Sequence, residues 1–144
     1  MTRRGIIPEG IWILDEKRSR MLVPASVTLW IIRDDGERLI WVVVETSASG
    51  QVAIKTFDGT YGGPPAVVQG SGFIVSLSSP APRTARVEGE IPNMGLFSET
   101  DVVSADGRKM RVDGEVQTPE GVKSWYEEFN WHGPMPPARN GGRS

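Results

Sequence analysis

From residue 10 to residue 131 the chain alternates short runs of Val, Ile, Thr and aromatic residues with clusters of Gly, Pro, Asp and Ser. The clusters recur at fairly even spacing: Asp34-Asp35-Gly36, Ala48-Ser49-Gly50, Asp58-Gly59, Gly62-Gly63-Pro64-Pro65, Ser79-Pro80-Ala81-Pro82, Ser104-Ala105-Asp106-Gly107 and Thr118-Pro119-Glu120-Gly121. Apolar runs bounded in this way read as strands joined by tight turns. The pattern predicts strands near 10–15, 26–33, 38–46, 51–57, 72–78, 84–91, 95–103, 108–117 and 122–131. No stretch sustains a helical period, and the best helix candidate is one turn around Asp15 to Arg20.

About nine sequential strands with short connections make an antiparallel meander. A meander removes its unpaired edges most economically by closing on itself. The expected fold is therefore all-β, an antiparallel up-and-down β-barrel, with a β-sandwich as the competing architecture. The expected organisation is an N-terminal extension over 1–9, the barrel over 10–132 and a flexible Pro/Gly-rich tail over 133–144.

Register decides which side chains look inward, because a slip of one residue turns a whole strand over. In "KSWYEEFNWHG", residues 123–133, strand alternation puts Trp125, Glu127, Phe129 and Trp131 on one face. A two-residue loop at Pro119-Glu120 sets Gly114 opposite Trp125, Val112 opposite Glu127 and Met110 opposite Phe129, so this face is the apolar one. For the preceding hairpin, a three-residue loop at Ala105-Asp106-Gly107 would pair Val102 with Met110, Thr100 with Val112 and Ser98 with Gly114. One residue fewer in that loop would instead bring Glu99 and Asp101 to the apolar face. Arg111 chooses between the two, since in the first register it lies opposite both Asp101 and Glu128.

The expected inner wall is thus Leu96, Ser98, Thr100, Val102, Met110, Val112, Gly114, Val116, Trp125, Glu127, Phe129 and Trp131. Glu99, Asp101, Lys109, Arg111, Asp113, Glu115 and Glu128 face water. Alternation in "FIVSLS" and "TARVEGEI" turns Phe73, Val75, Leu77, Ala85, Val87 and Ile91 inward. "VTLWII" and "LIWVVVE" are apolar on both faces, which leaves Trp30 and Trp41 unassigned. Two outward tryptophans there would make a homodimer or partner surface.

Composition narrows the chemistry. The chain has 144 residues, a net charge of −2, no cysteine and one histidine. One domain of this length can bury a real core. No basic footprint points to nucleic acid: Arg3 and Arg4 at the start, and Arg139 and Arg143 at the end, are too sparse for a polybasic arm. Disulfides, thiol catalysis and cysteine-bound zinc are excluded, and a lone histidine builds no His cluster. No phosphate loop, dinucleotide fingerprint, nucleophile elbow or calcium loop occurs, so no cofactor or metal is expected. Without a membrane-length apolar run or a signal-peptide core, a cytoplasmic protein with no membrane partner is the default expectation.

At "GIWILDEKRSR" the chain resembles the lipocalin-like (calycin) family. It is similar to small bacterial barrel proteins that open with G-x-W-x-L-D/N and a Lys/Arg-Ser loop. Those also carry a late S-A-D-G-[KR]-x-M turn, here Ser104 to Met110. The resemblance spans residues 9 to 131 and implies a closed barrel with Trp12 plugging one end. It also implies a cavity for a small apolar molecule, and a basic side chain packed across Trp12, for which Arg108 and Lys123 are the candidates. It implies a fold more than an activity.

Glu127 is the sharpest candidate. A carboxyl group among Trp125, Phe129 and Trp131 is desolvated, which raises its pKa and suits a general acid or base near neutrality. Ser98 and Thr100 on the same wall would orient it or a ligand, with Met110 and Val112 as apolar lining. The plainer reading puts Glu127 at the barrel mouth, hydrated or bonded to an Arg. Tyr61 belongs to "FDGTYGGPPAVVQGSG", a long connection with five glycines that reads as a lid or as an ordinary surface loop. His132, at a strand end on the outer face, reads as solvated.

Three functions follow. The first is binding of a small apolar or aromatic molecule in the barrel. The second is a cofactor-free isomerase, lyase or hydratase acting through Glu127 on a small hydrophobic substrate. The third is an interaction protein with a solid barrel and Trp30 or Trp41 at a subunit contact.

Overall fold

The computed structural model describes residues 5–21 and 27–135. Arg3, Arg4, Arg139, Arg143 and the tail from residue 136 onward lie outside the described residues. The described chain forms ten strands: β1 (Gly10–Leu14), β2 (Val27–Asp34), β3 (Arg38–Thr46), β4 (Val52–Thr60), β5 (Ala66–Val68), β6 (Phe73–Ser78), β7 (Thr84–Ile91), β8 (Gly95–Val103), β9 (Lys109–Thr118) and β10 (Gly121–Trp131). The helix candidate is a short 3-10 turn, Glu16–Arg18. No helix among the described residues is long and apolar enough to cross a membrane.

All the strands belong to one antiparallel sheet in the order β4-β3-β2-β1-β10-β9-β8-β7-β6-β5. The sheet curls until its two edges meet, where Thr56 and Gln69 exchange backbone hydrogen bonds of 3.1 and 2.8 Å. One continuous sheet that returns to itself is an up-and-down barrel, nearly closed, and not a sandwich. The tenth strand is β5. It interrupts the connection 59–72, which the sequence presents as a single loop, and supplies the closing edge.

Hydrophobic alternation is clearest in β9. In β9, Met110, Val112, Gly114 and Val116 are buried while Lys109, Arg111, Asp113, Glu115 and Gln117 are exposed. The β9–β10 register is the expected one, with Gly114 opposite Trp125, Val112 opposite Glu127 and Met110 opposite Phe129. Gly114 is required there: a Cβ at this position would lie 2.2 Å from the Trp125 indole.

The β8–β9 register differs. Val103 pairs with Met110, Asp101 with Val112 and Glu99 with Gly114. The turn holds four residues, Ala105 to Arg108, closed by a Ser104 N–H to Lys109 O bond of 2.8 Å. Asp106 Oδ1 organises it, accepting from Ser104 Oγ at 2.6 Å and Arg108 N–H at 3.0 Å. The extra residue turns β8 over. Phe97, Glu99, Asp101 and Val103 face inward, while Ser98 and Thr100 line a groove on the outside with Arg86 and Tyr126, and Leu96 and Val102 are exposed. Arg111 does not need Asp101, because it pairs with Asp113 at 3.0 Å on its own strand and stacks on Tyr126.

One end of the barrel is plugged. Trp12 and Ile7 are fully buried there, with Ile32, Leu39, Val103 and Met110 packed around them. Trp12 Nε1 donates to Pro8 O at 3.0 Å. The cation–ring contacts among the described residues are Lys55 on Phe73 and Arg111 on Tyr126, so neither Arg108 nor Lys123 packs across Trp12.

Candidate functional site

Above the plug the barrel holds a cavity of about 180 Å³ that is partly open to solvent. Its wall is aromatic. Trp30 meets Trp41 edge-on with ring centroids 5.9 Å apart, Trp30 lies 5.2 Å from Phe129, and Trp41 stacks on Phe57 at 5.6 Å. Trp125, Phe73 and Phe97 complete the aromatic lining. Trp30 and Trp41 therefore point inward, which resolves the strand pair that is apolar on both faces and leaves neither for an outer subunit contact.

Set into this wall are Glu99 and Asp101 from β8, Glu127 from β10, Glu45 from β3 and Lys55 from β4. Lys55 Nζ pairs with Glu45 at 3.4 Å. Glu99, Asp101 and Glu127 form no ion pair with any cation among the described residues. Charges in an apolar interior neutralise themselves when no partner is at hand. Burial pushes the Glu127 pKa up to about 8, with the charges of Glu99 and Glu45 adding to the rise and Lys55 opposing it. Burial likewise lifts Asp101 to about 7 and Glu99 well above the carboxylate range. The Glu99–Asp101 interaction raises Glu99 further and opposes the rise at Asp101.

Two polar atoms of the wall have no hydrogen-bond partner among the described residues, Asp101 Oδ1 and Trp30 Nε1. Both residues are buried, at 4% and 6% exposure. An unpaired buried donor or acceptor costs about 1–3 kcal/mol, so two in one cavity wall mark a place not optimised for stability alone. No three acidic or histidine side chains among the described residues converge as a metal ligand set.

Of the residues singled out in the sequence, Trp125, Glu127 and Phe129 line this cavity. Met110 and Val112 are buried in the packed wall outside its lining, and Ser98 and Thr100 lie on the outer surface. Trp131 packs at the plugged end, where its Nε1 donates to Glu9 O at 3.1 Å. Tyr61 is at the same end. Its hydroxyl donates to Asp34 Oδ2 at 2.7 Å, and burial, followed by this bond, raises its pKa strongly. His132 donates its backbone N–H to Ile11 O at 2.7 Å and is exposed.

The residues the sequence reading missed are Glu99, Asp101, Glu45, Lys55, Trp30 and Trp41. One signal was present in "LFSETDVV": each face of this strand carries polar residues in either register, so hydrophobicity could not orient it. No protein-family model matches the chain, and no curated protein matches it in sequence.

Proposed function

We propose that this barrel binds a small apolar or aromatic molecule in its interior. The observation that carries the reading is a partly open cavity of about 180 Å³ within a wall of tryptophans and phenylalanines. A barrel selected only for stability would fill that space, because interiors pack to crystal-like density. Resemblance to the lipocalin-like family supports the same reading.

Volume bounds the ligand. A cavity of about 150 Å³ lined by apolar side chains takes up benzene, whereas drug-sized ligands occupy roughly 300–1,000 Å³. In this reading the ligand is of single-ring size, filling that volume. Trp30, Trp41 and Trp125 in the wall report on occupancy. Titration with toluene is expected to give saturable quenching of tryptophan fluorescence, and palmitate is expected to give none. If neither toluene nor any other single-ring compound gives a saturable change, the binding reading falls.

A second reading rests on a different observation, the two carboxyl groups with pKa values about 7 and about 8 in one cavity. Groups poised near neutrality suit acid–base catalysis, with Glu127 as the acid or base of a cofactor-free isomerisation, elimination or hydration. Glu127→Gln is then expected to keep ligand binding and abolish turnover. Full activity of that variant on an identified substrate sinks the catalytic reading and leaves the binding one.

A further inference from the structure

We propose that the ligand of this cavity is a small amine, a single apolar or aromatic ring bearing one protonated nitrogen, seated with that nitrogen against Asp101. The inference rests on the binding reading above and deepens it by naming the ligand's chemical class.

Three independent features of the wall converge on it. The first is charge. Four carboxyl groups and one lysine line the cavity, and the lysine is already engaged by Glu45. Glu99, Asp101 and Glu127 remain, three acids against the field of one lysine that is itself paired with Glu45. The second is the state of Asp101. It is buried in the cavity wall, and its Oδ1, shielded from solvent, has no hydrogen-bond donor among the described residues. Its side-chain hydrogen-bond partner is the Glu99 carboxyl. An ionised carboxylate offers about four acceptor positions, so one shared proton leaves most of its capacity open. The third is the aromatic wall. It contains Trp30, Trp41 and Trp125, and tryptophan is the ring that attracts a cation best.

These features also explain how the site tolerates its acids. Without a cation the cluster stays neutral by holding protons, which burial favours. An ammonium group replaces those protons as the counter-charge and supplies N–H donors to Asp101. Binding is therefore coupled to proton release, and affinity rises with pH as Asp101 and Glu127 ionise. The titratable groups facing the ammonium are Glu99 and Asp101 from β8, Glu127 from β10, Glu45 from β3 and Lys55 from β4, with Tyr61, just past β4, near enough to feel the Asp101 charge; β7 and β9 contribute apolar Ala85 and Val112 opposite Asp101 and Val87 opposite Glu99.

The test compares three probes of similar size on the full chain: benzylamine, benzyl alcohol and toluene. Calorimetry at pH 6 and pH 8.5, in two buffers of different ionisation enthalpy, reads both affinity and proton release. Benzylamine is expected to bind at least tenfold more tightly than toluene at pH 8.5, with protons released and the advantage shrinking at pH 6. Asp101→Asn is expected to remove most of that advantage, so that benzylamine and toluene bind with similar affinity, and Glu127→Gln to reduce the proton release. If toluene or benzyl alcohol binds as tightly as benzylamine at pH 8.5, the amine inference is overturned and the binding reading survives. If none of the three binds, both are overturned.

Discussion

Asp34 and Asp101 are both buried aspartates on inward-facing walls, and their surroundings assign them opposite roles. Asp34 accepts four hydrogen bonds: from Ile6 N–H at 3.1 Å and Gly36 N–H at 2.8 Å on Oδ1, and from Ile7 N–H at 2.9 Å and the Tyr61 hydroxyl at 2.7 Å on Oδ2. A carboxylate with that many donors is stable without a cation, and it ties the N-terminal segment to the β2–β3 turn and to the end of β4. Asp101 has no such set. Tyr61→Phe removes one bond to a charged acceptor, worth about 1.5–3 kcal/mol, from the structural site alone. The expected result is a lower denaturant midpoint with unchanged affinity for single-ring ligands. A change in affinity without loss of stability would place Tyr61 in the binding site after all.

At the scale of elements, the strands differ in how firmly they are held. β9 and β10 pair along nearly their whole length, from Thr118–Gly121 to Lys109–Asn130. The seam between β4 and β5 is closed by the exchange between Thr56 and Gln69, with β5 only three residues long. Short pairing with solvent on one side opens at low free-energy cost. Amide exchange is therefore expected to be fastest at Thr56 and Gln69 among ladder positions and slowest in β9 and β10, which would make the seam the entry route. Equal protection at both places rules that route out. The same contrast explains what the sequence made legible. β10 and β9 could be registered in advance because the Pro119-Glu120 loop has one natural length and because Gly114 can face only a large ring. β8 could not. Its orientation depends on whether Ser104 to Met110 turns on three or four residues, and the Asp106 side chain that organises the longer turn is a tertiary detail that composition does not announce. The cross-strand match to Arg111 favoured the wrong face because Asp113 and Tyr126 satisfy that guanidinium equally well. β5 was hidden for a related reason: Ala66, Val67 and Val68 sit among glycines and prolines, and a three-residue strand gets its partner from pairing with β6 rather than from any signal of its own.

At the scale of the whole molecule, three acids grouped in one wall, Asp101 buried and Glu99 and Glu127 half-buried, make stability depend on pH. Glu127 titrates near 4.5 when exposed and at about 8 in the fold, and Asp101 moves from 3.8 to about 7. A raised carboxyl pKa means that the folded state binds more protons than the unfolded chain between those limits. The stability this contributes is complete below the unfolded values and is lost as pH rises through the folded ones. Each group in its window changes stability by about 1.4 kcal/mol per pH unit, so the cluster costs on the order of a few kcal/mol between pH 5 and pH 9. That is a large share of the roughly 5–15 kcal/mol that holds a domain together. The ligand-free protein is expected to melt at a progressively lower temperature as pH rises from 5 to 9. Glu127→Gln is expected to flatten the slope and to be more stable than the natural chain at pH 9. Proton uptake by the cluster and seating of an ammonium are two routes to the same neutrality. Benzylamine at saturating concentration should therefore restore the melting temperature most strongly at pH 8 to 9. A melting curve that is flat across this range would show that the acids meet bulk water rather than each other.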